Sequence, residues 1–210
     1  DSKVYVITGH LDSFEAIPDT GEIPITLEDA DAQVTVEDGA GDERSGDVVV
    51  NCKRGELPPV GQTWFVDLRP EDTKDPTEEE EPERIWTYKF SGDEFSAEPW
   101  EATKFSGEGR TGDTQTDIKY FKGNVGDGSF TGSYHLEHKE NIGSLKAEWK
   151  NVPSRYFLKH INFPQVLTGG ITGNIDYTMD NDDPAGTMKG KGRFEIHDGQ
   201  FNWEVFESEF

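Results

Sequence analysis

"GDGSFTGSYHLEH", residues 126–138, carries the pattern that decides the fold. Gly126-Asp127-Gly128 reads as a turn, because Asp-Gly is a strong two-residue hairpin signal. After it, Phe130, Gly132, Tyr134 and Leu136 fall on one side, and Thr131, Ser133, His135 and Glu137 on the other. A period of two sends successive side chains to opposite faces of a strand. The stretch is therefore a half-buried β-strand opened by a turn. "IHDGQFNWEV" (196–205) echoes the Asp-Gly-x-Phe opening, so the same turn-then-strand device is expected there.

The same period runs along most of the chain. "KVYVITGHLDSFE" (3–15), "GDVVVNCKRGEL" (46–57), "QTWFVDLRPED" (62–72), "RIWTYKFSGDEFSAEPW" (84–100), "WEATKFSGEGRTG" (100–112) and "IGSLKAEWKNV" (142–152) all read as strands. "PITLEDADAQVTVEDG" (24–39) reads as a strand, a small turn and a second strand, and 114–140 as a strand on either side of Gly126-Asp127-Gly128. Two more alternating segments follow, "LTGGITGNIDYTMD" (167–180) and "TMKGKGRFEIHDG" (187–199). Strands of about 12 residues would reach roughly 40 Å, longer than is usual in globular sheets.

One segment breaks the period. "VPSRYFLKHINFP" (152–164) spaces Tyr156, Phe157, His160 and Ile161 by helical steps behind Pro153-Ser154. That predicts a single short helix near 154–162, bounded by Pro164. The expected fold is all-β: an elongated, strongly curved, mostly antiparallel meander with one helix. Gly132, Gly173, Gly190 and Gly192 lie on apolar faces. A missing side chain there lets the sheet bend or another group approach. The organisation reads as an N-terminal part of the sheet (1–71), an acidic loop "DTKDPTEEEEPER" spanning 72–84, and a C-terminal part (85–210). Similar β-texture on both sides makes the loop a long hairpin insertion.

Composition limits function. The net charge is −23, with 43 acidic against 20 basic residues, which opposes phosphate-backbone contacts and so argues against nucleic acid. Cys52 is the only cysteine, so no intrachain disulfide can form. It alternates with Val48 and Val50, which suits a buried, inert thiol. The sequence holds no run of about 18 apolar residues and no signal-peptide pattern. Its abrupt strand-like opening has the look of a fragment or processed form.

The ordered set "VGDGSFTGSYHLEH", "NVPSRYFLKHINFPQVL", "TGGITGNIDYTMD" and "MKGKGRFEIHDGQF" resembles the C-terminal region of AsmA/TamB-type bacterial cell-envelope proteins. Residues 104–206 carry the resemblance; residues 1–100 share only its texture, and the acidity and the 72–84 loop depart from it. The resemblance implies an elongated apolar β-groove that carries lipid between the membranes of diderm bacteria. It also implies an N-terminal membrane anchor in full-length members, so that this chain would be a soluble piece working in the periplasm. The implied partner is a phospholipid or other acyl-chain lipid; no cofactor is called for.

The groove would be lined by Phe130, Tyr134, Leu136, Ile171, Ile175, Tyr177, Met179, Phe194 and Ile196. In an ordinary domain such a stripe is core. Here one sheet has only the helix and its own curvature to cover it, and the uncovered remainder is lipid-sized apolar surface. Asp180, Asp182 and Asp183 in "MDNDDPAG" offer hard oxygen ligands for calcium, but the loop lacks EF-hand spacing and reads first as a solvated turn. His135 and His138 are three apart on a predicted strand and so diverge, and no zinc, nucleophile or phosphate-loop motif is present. No enzymatic constellation emerges. The competing expectation is an extracellular β-sandwich for glycan binding or adhesion, with Trp64, Trp86, Trp100, Trp149 and Trp203 as a stacking platform and calcium as a possible aid.

Overall fold

The computed structural model describes residues 4–16, 25–38, 44–57, 85–160 and 163–209. Ten strands form one open sheet in sequence order. They are β1 (Val4–Ala16), β2 (Ile25–Asp38), β3 (Arg44–Leu57), β4 (Trp86–Ala97), β5 (Trp100–Thr111), β6 (Gln115–Val125), β7 (Gly128–Glu137), β8 (Ile142–Pro153), β9 (Gly170–Asp180) and β10 (Lys189–His197). Helices of seven residues, α1 (Ser154–His160) and α3 (Trp203–Glu209), and a single helical turn, α2 (Pro184–Thr187), complete the described residues. Extensive strand contacts run only between sheet neighbours. No second sheet covers either face among the described residues, so the sandwich architecture is not formed.

Every pairing is antiparallel except β3 with β4, which run parallel. The hairpin insertion expected around 72–84 falls between these two strands, among residues outside those described. Parallel neighbours need a connection that returns from one end of the sheet to the other. The strand expected at 62–72 also lies outside the described residues.

The strand–turn–strand expected over 24–39 is one continuous strand. Asp29 sits at φ 51°, a left-handed kink rather than a turn. Lys104 in β5 and Asn151 in β8 share this conformation, each at φ 51°. Such a residue inserts one position, so side chains three apart keep the same face, as at a β-bulge. The Phe95 and Phe105 rings stack at 4.4 Å although Phe95 pairs with Ala102, three residues before Phe105. Trp149 and Val152 likewise share the face that α1 covers.

The turn before β7 is shifted by one residue from the Asp-Gly reading. Val125 pairs with Gly128, leaving Gly126-Asp127 as the two turn residues. Gly126 takes φ 57°, the left-handed first position that primed hairpin turns give to glycine. The echo at 196–205 does not repeat the device. Asp198, at φ 52°, follows the end of β10, and Phe201 makes only an isolated bridge to Leu167 before α3 begins.

Helix α1 starts where Pro153-Ser154 places it, but the serine hydroxyl does not cap it. Ser154 Oγ donates to the Leu167 carbonyl at 2.8 Å, and its amide to the Gly169 carbonyl at 2.9 Å. The helix is thus tied down at its base to the segment leading into β9. Helix α3 was not expected. Its cap is Asn202, whose Oδ1 accepts from the amides of Glu204 and Val205 at 3.1 and 3.3 Å.

Candidate functional site

Register assigns the sheet a polar and an apolar face. Tracing the pairs from β6 to β10, Phe121 meets Gly132, Gly132 meets Ala147, Ala147 meets Ile175 and Ile175 meets Gly192. The parallel row runs Gly123, Phe130, Trp149, Gly173 and Phe194, and the next runs Ile118, Tyr134, Leu145, Tyr177 and Gly190. Leu136 lines up through Gly143 with Met179, and Val152 through Ile171 with Ile196. All nine residues singled out from the sequence therefore stand on this one face.

Their depth differs. Leu136 and Met179 are buried, at 1% and 2% exposure, and Ile171 is nearly so. These three are packing residues. Phe130, Tyr134, Ile175 and Tyr177 are half-buried. Phe194, 67% exposed, and Ile196 stand open on β10 at the sheet edge. Burial pushes the Tyr134 and Tyr177 hydroxyls above the ordinary phenol range, so both stay neutral on this face.

The apolar face extends beyond the expected stripe. Phe105 gathers three ring contacts, with centroids 5.2 Å from Phe90, 4.4 Å from Phe95 and 6.1 Å from Phe130. Phe121 joins Phe130 at 6.2 Å. A recurring exchange makes room for them: a ring on one strand lies over a glycine on the next. A Cβ at Gly107 would stand 2.3 Å from Phe90 Cζ, one at Gly109 2.6 Å from Tyr88 Oη, and one at Gly55 2.8 Å from Phe95 Cδ2. Sequence reading missed this aromatic run because its members are related by pairing, not by spacing. The usable signal was the matching of aromatic positions on β4 to Gly107 and Gly109 on β5.

At one end α1 lies across the face. Phe157 meets Trp100 edge-on at 5.0 Å and Trp149 at 5.5 Å, while Tyr156 stacks on Trp100 at 5.8 Å. Beneath them Ala102, Val125 and Val152 form the buried centre. The indole Nε1 of Trp149 is buried without a hydrogen-bond partner among the described residues. Among the described residues the tryptophans do not assemble into a platform. Trp86 is at the far end of β4 from Trp100, Trp203 belongs to α3 against Phe201, and Trp64 lies outside the described residues.

The aspartates considered for calcium are occupied as turn formers. Asp180 Oδ1 accepts from the Asp182 amide, Asp183 Oδ1 from the Gly186 amide, and Asp182 Oδ1 from Asn141 Nδ2. No group of three or more metal-ligating side chains occurs among the described residues. The histidines diverge. His135 bonds Asp117 on the polar face, whereas His138 is buried between Thr116 and the Asp113 carbonyl. Cys52 is half-buried beneath Gly92, and its thiol is pushed up by burial and then by the Asp93 charge, as befits an unreactive thiol.

Compared with protein-family models, curated proteins and solved structures, the chain matches none. The functional reading therefore rests on the apolar face itself.

Proposed function

We propose that this face shelters the acyl chains of lipids, with no chemical step, as part of a bacterial envelope protein of the kind the AsmA/TamB resemblance implies. The observation that carries the reading is architectural. Among the described residues a single-layer sheet ten strands wide presents one continuous apolar face, and α1 lies across only one end of it. Soluble domains rarely leave a large contiguous apolar surface without a use for it. Each methylene taken out of water is worth about 0.8 kcal/mol, so a chain with about eight methylenes covered gains several kcal/mol against the cost of ordering it. The opposite face, rich in Lys, Glu, Thr and Ser, keeps the carrier in water. The partner is a phospholipid or similar acyl-chain lipid, and the setting is the periplasm, with membrane attachment supplied by other parts of a longer protein.

Native mass spectrometry of the purified protein before and after organic extraction tests this. Bound phospholipid or fatty acid, lost on extraction and recovered on reconstitution, is the expected result; reproducibly empty protein that takes up no added lipid would overturn it. Ile175→Asp and Phe194→Asp, checked for retained sheet by circular dichroism, are expected to reduce capture. Undiminished capture in both would refute the assignment of this face.

A further inference from the structure

The polar face holds a depression of about 350 Å³ where β5 to β8 cross the line of kinks. Lys104, Lys122 and Lys150 line it, together with Asn124, Ser129 and Thr131. Register explains the convergence. Asn124 pairs with Thr103 and Ser129, and Ser129 with Lys150; in the adjacent row Lys122 pairs with Thr131. The left-handed turn of the chain at Lys104 shifts the β5–β6 register between Thr103 and Ser106, which interrupts the ladder and opens the floor.

In a chain with 43 acidic and 20 basic residues, Lys89, Lys119, Lys146, Lys159, Arg110 and Arg193 each lie within ion-pair distance of a carboxylate, while other described cations do not. What sets the depression apart is that three such lysines converge on it. Lys104, Lys122 and Lys150 have none within that distance among the described residues, and the Lys122 ammonium sits 5.5 Å from the Tyr120 ring centroid. Glu148, on the lining, offsets one of the three charges. Gathering three like charges against a single carboxylate is unfavourable, and an anion in the depression relieves it.

We infer that this depression is an oxyanion site that takes a phosphate monoester. Lysine ammoniums act as point charges for phosphate. Ser129, Thr131 and Asn124 add hydroxyl and amide donors for its oxygens. A phosphate monoester near pH 7 carries a charge of about −1.5 to −2, which matches the residual positive charge. The volume leaves room for the small organic group that bears the phosphate. Its charged and hydrogen-bonding groups are on the face opposite the proposed lipid surface, although Phe130 and Gly123 of the apolar row also border the depression, and the site does not depend on lipid binding.

Isothermal titration of the full chain with glycerol phosphate and with pyrophosphate, at low and high ionic strength, tests the site. Saturable binding that weakens with salt is expected for the native protein. The pair Lys122→Gln with Lys150→Gln should lower affinity about tenfold or more. A control pair with the same loss of charge on β10, Lys189→Gln with Lys191→Gln, should change it less than about twofold. No saturable binding by the native chain to either soluble phosphate or to vesicles containing phosphatidic acid, retained affinity in the first pair, or an equal loss in the control pair would each overturn the inference. Cosedimentation with vesicles containing phosphatidic acid, against phosphatidylcholine alone, separates the sources. Lysine-dependent vesicle binding without binding of the soluble ester places the phosphate on a lipid headgroup; the reverse places it on a small soluble molecule.

Discussion

Phe121 of β6 lies over Gly132 of β7 so closely that a Cβ at residue 132 would stand 2.3 Å from the ring's Cζ. The Lys146 carbonyl on the other side would be 2.7 Å away, so a side chain there meets fixed backbone as well as a ring. This exchange of a ring for a hydrogen lets a single sheet build an apolar layer from large side chains without a second sheet to hold them. Aromatic cover of strand glycines is a known means of stabilising and bending sheets.

Gly132→Ala is accordingly expected to destabilise the fold by about 1–3 kcal/mol through overpacking. Gly9 provides the contrast, since nothing lies within 4 Å of a Cβ built there. Gly9→Ala should be neutral or stabilise by up to about 1 kcal/mol, because alanine loses less conformational freedom. Urea denaturation of both variants checks the pair. Equal effects would show that the rings do not lie as described.

Helix α1 is held to the sheet chiefly through Phe157, which contacts both Trp100 and Trp149. Phe157→Ala should cost about 2–4 kcal/mol, toward the lower end of aromatic truncations because the ring is only half-buried. Freed from its anchor, the helix leaves Ala102, Val125 and Val152 open to water. Binding of a hydrophobic dye should therefore rise while far-ultraviolet circular dichroism keeps its strand signature. A variant with native stability and no added dye binding would contradict this packing.

Asp117 links three strands on the polar face. Burial alone would raise its carboxyl, but hydrogen bonds from His135 Nδ1 at 2.6 Å and Arg110 Nε at 3.0 Å, with both neighbours' charges, hold it below the ordinary carboxylate value. A depressed carboxyl contributes stability that is complete above its unfolded value and lost as pH falls through the folded one. Stability should therefore decline in that acid window, and Asp117→Asn should remove this component, lowering stability at neutral pH by about 1 kcal/mol. Urea midpoints measured from neutral pH down to about pH 3 test both parts; identical acid slopes in the native and Asn proteins would refute them.

His10 on the edge strand β1 has the opposite sign. Its Nδ1 bonds Asp31 Oδ1 at 2.9 Å, and Asp29 and Asp12 lie 3.5 and 3.6 Å from Nε2. The bond to Asp31 first, and the three negative charges with it, outweigh desolvation and raise the imidazole above its ordinary value. A raised group stabilises fully below its unfolded value, and that stability is lost as pH rises through the folded one. The β1–β2 pair should therefore loosen as pH rises from the unfolded imidazole value through the raised folded one. Hydrogen exchange of β1 amides, corrected for intrinsic base catalysis, should show it, and His10→Asn should abolish the dependence. The exposure of the imidazole keeps the effect local and small.

Strand existence was legible wherever alternation ran unbroken. "TGSYHLE" and "GITGNIDYTM" became β7 and β9 with the faces their sequence assigns, because side-chain direction in a strand is a local property of period two. The position of α1 followed equally from local spacing. Helix α3 left a weaker trace, Asn202 ahead of Glu204, which the strand-like alternation of Phe201, Trp203 and Val205 obscured.

The candidate site was legible in its direction but not in its depth. Period two places Leu136 and Phe194 on matching faces, yet one is buried and the other open, since depth depends on whether a strand lies inside the sheet or at its edge. The aromatic run through Phe90, Phe95 and Phe105 was hidden for a different reason. Phe90 and Phe95 are an odd number apart, and a regular strand would part them.

The amino-acid sequence by itself determined an all-β chain, one helix after Pro153, and an apolar and a polar side for each uninterrupted strand. These follow from steric preferences acting over a few residues. The tertiary structure decided how the strands join: the parallel seam between β3 and β4, and the left-handed kinks at Asp29, Lys104 and Asn151 that carry each face across a break in period. It also decided which apolar residues are buried and which lysines converge. Those outcomes depend on pairing between residues distant in the chain, and no local preference encodes which partner a strand edge will meet.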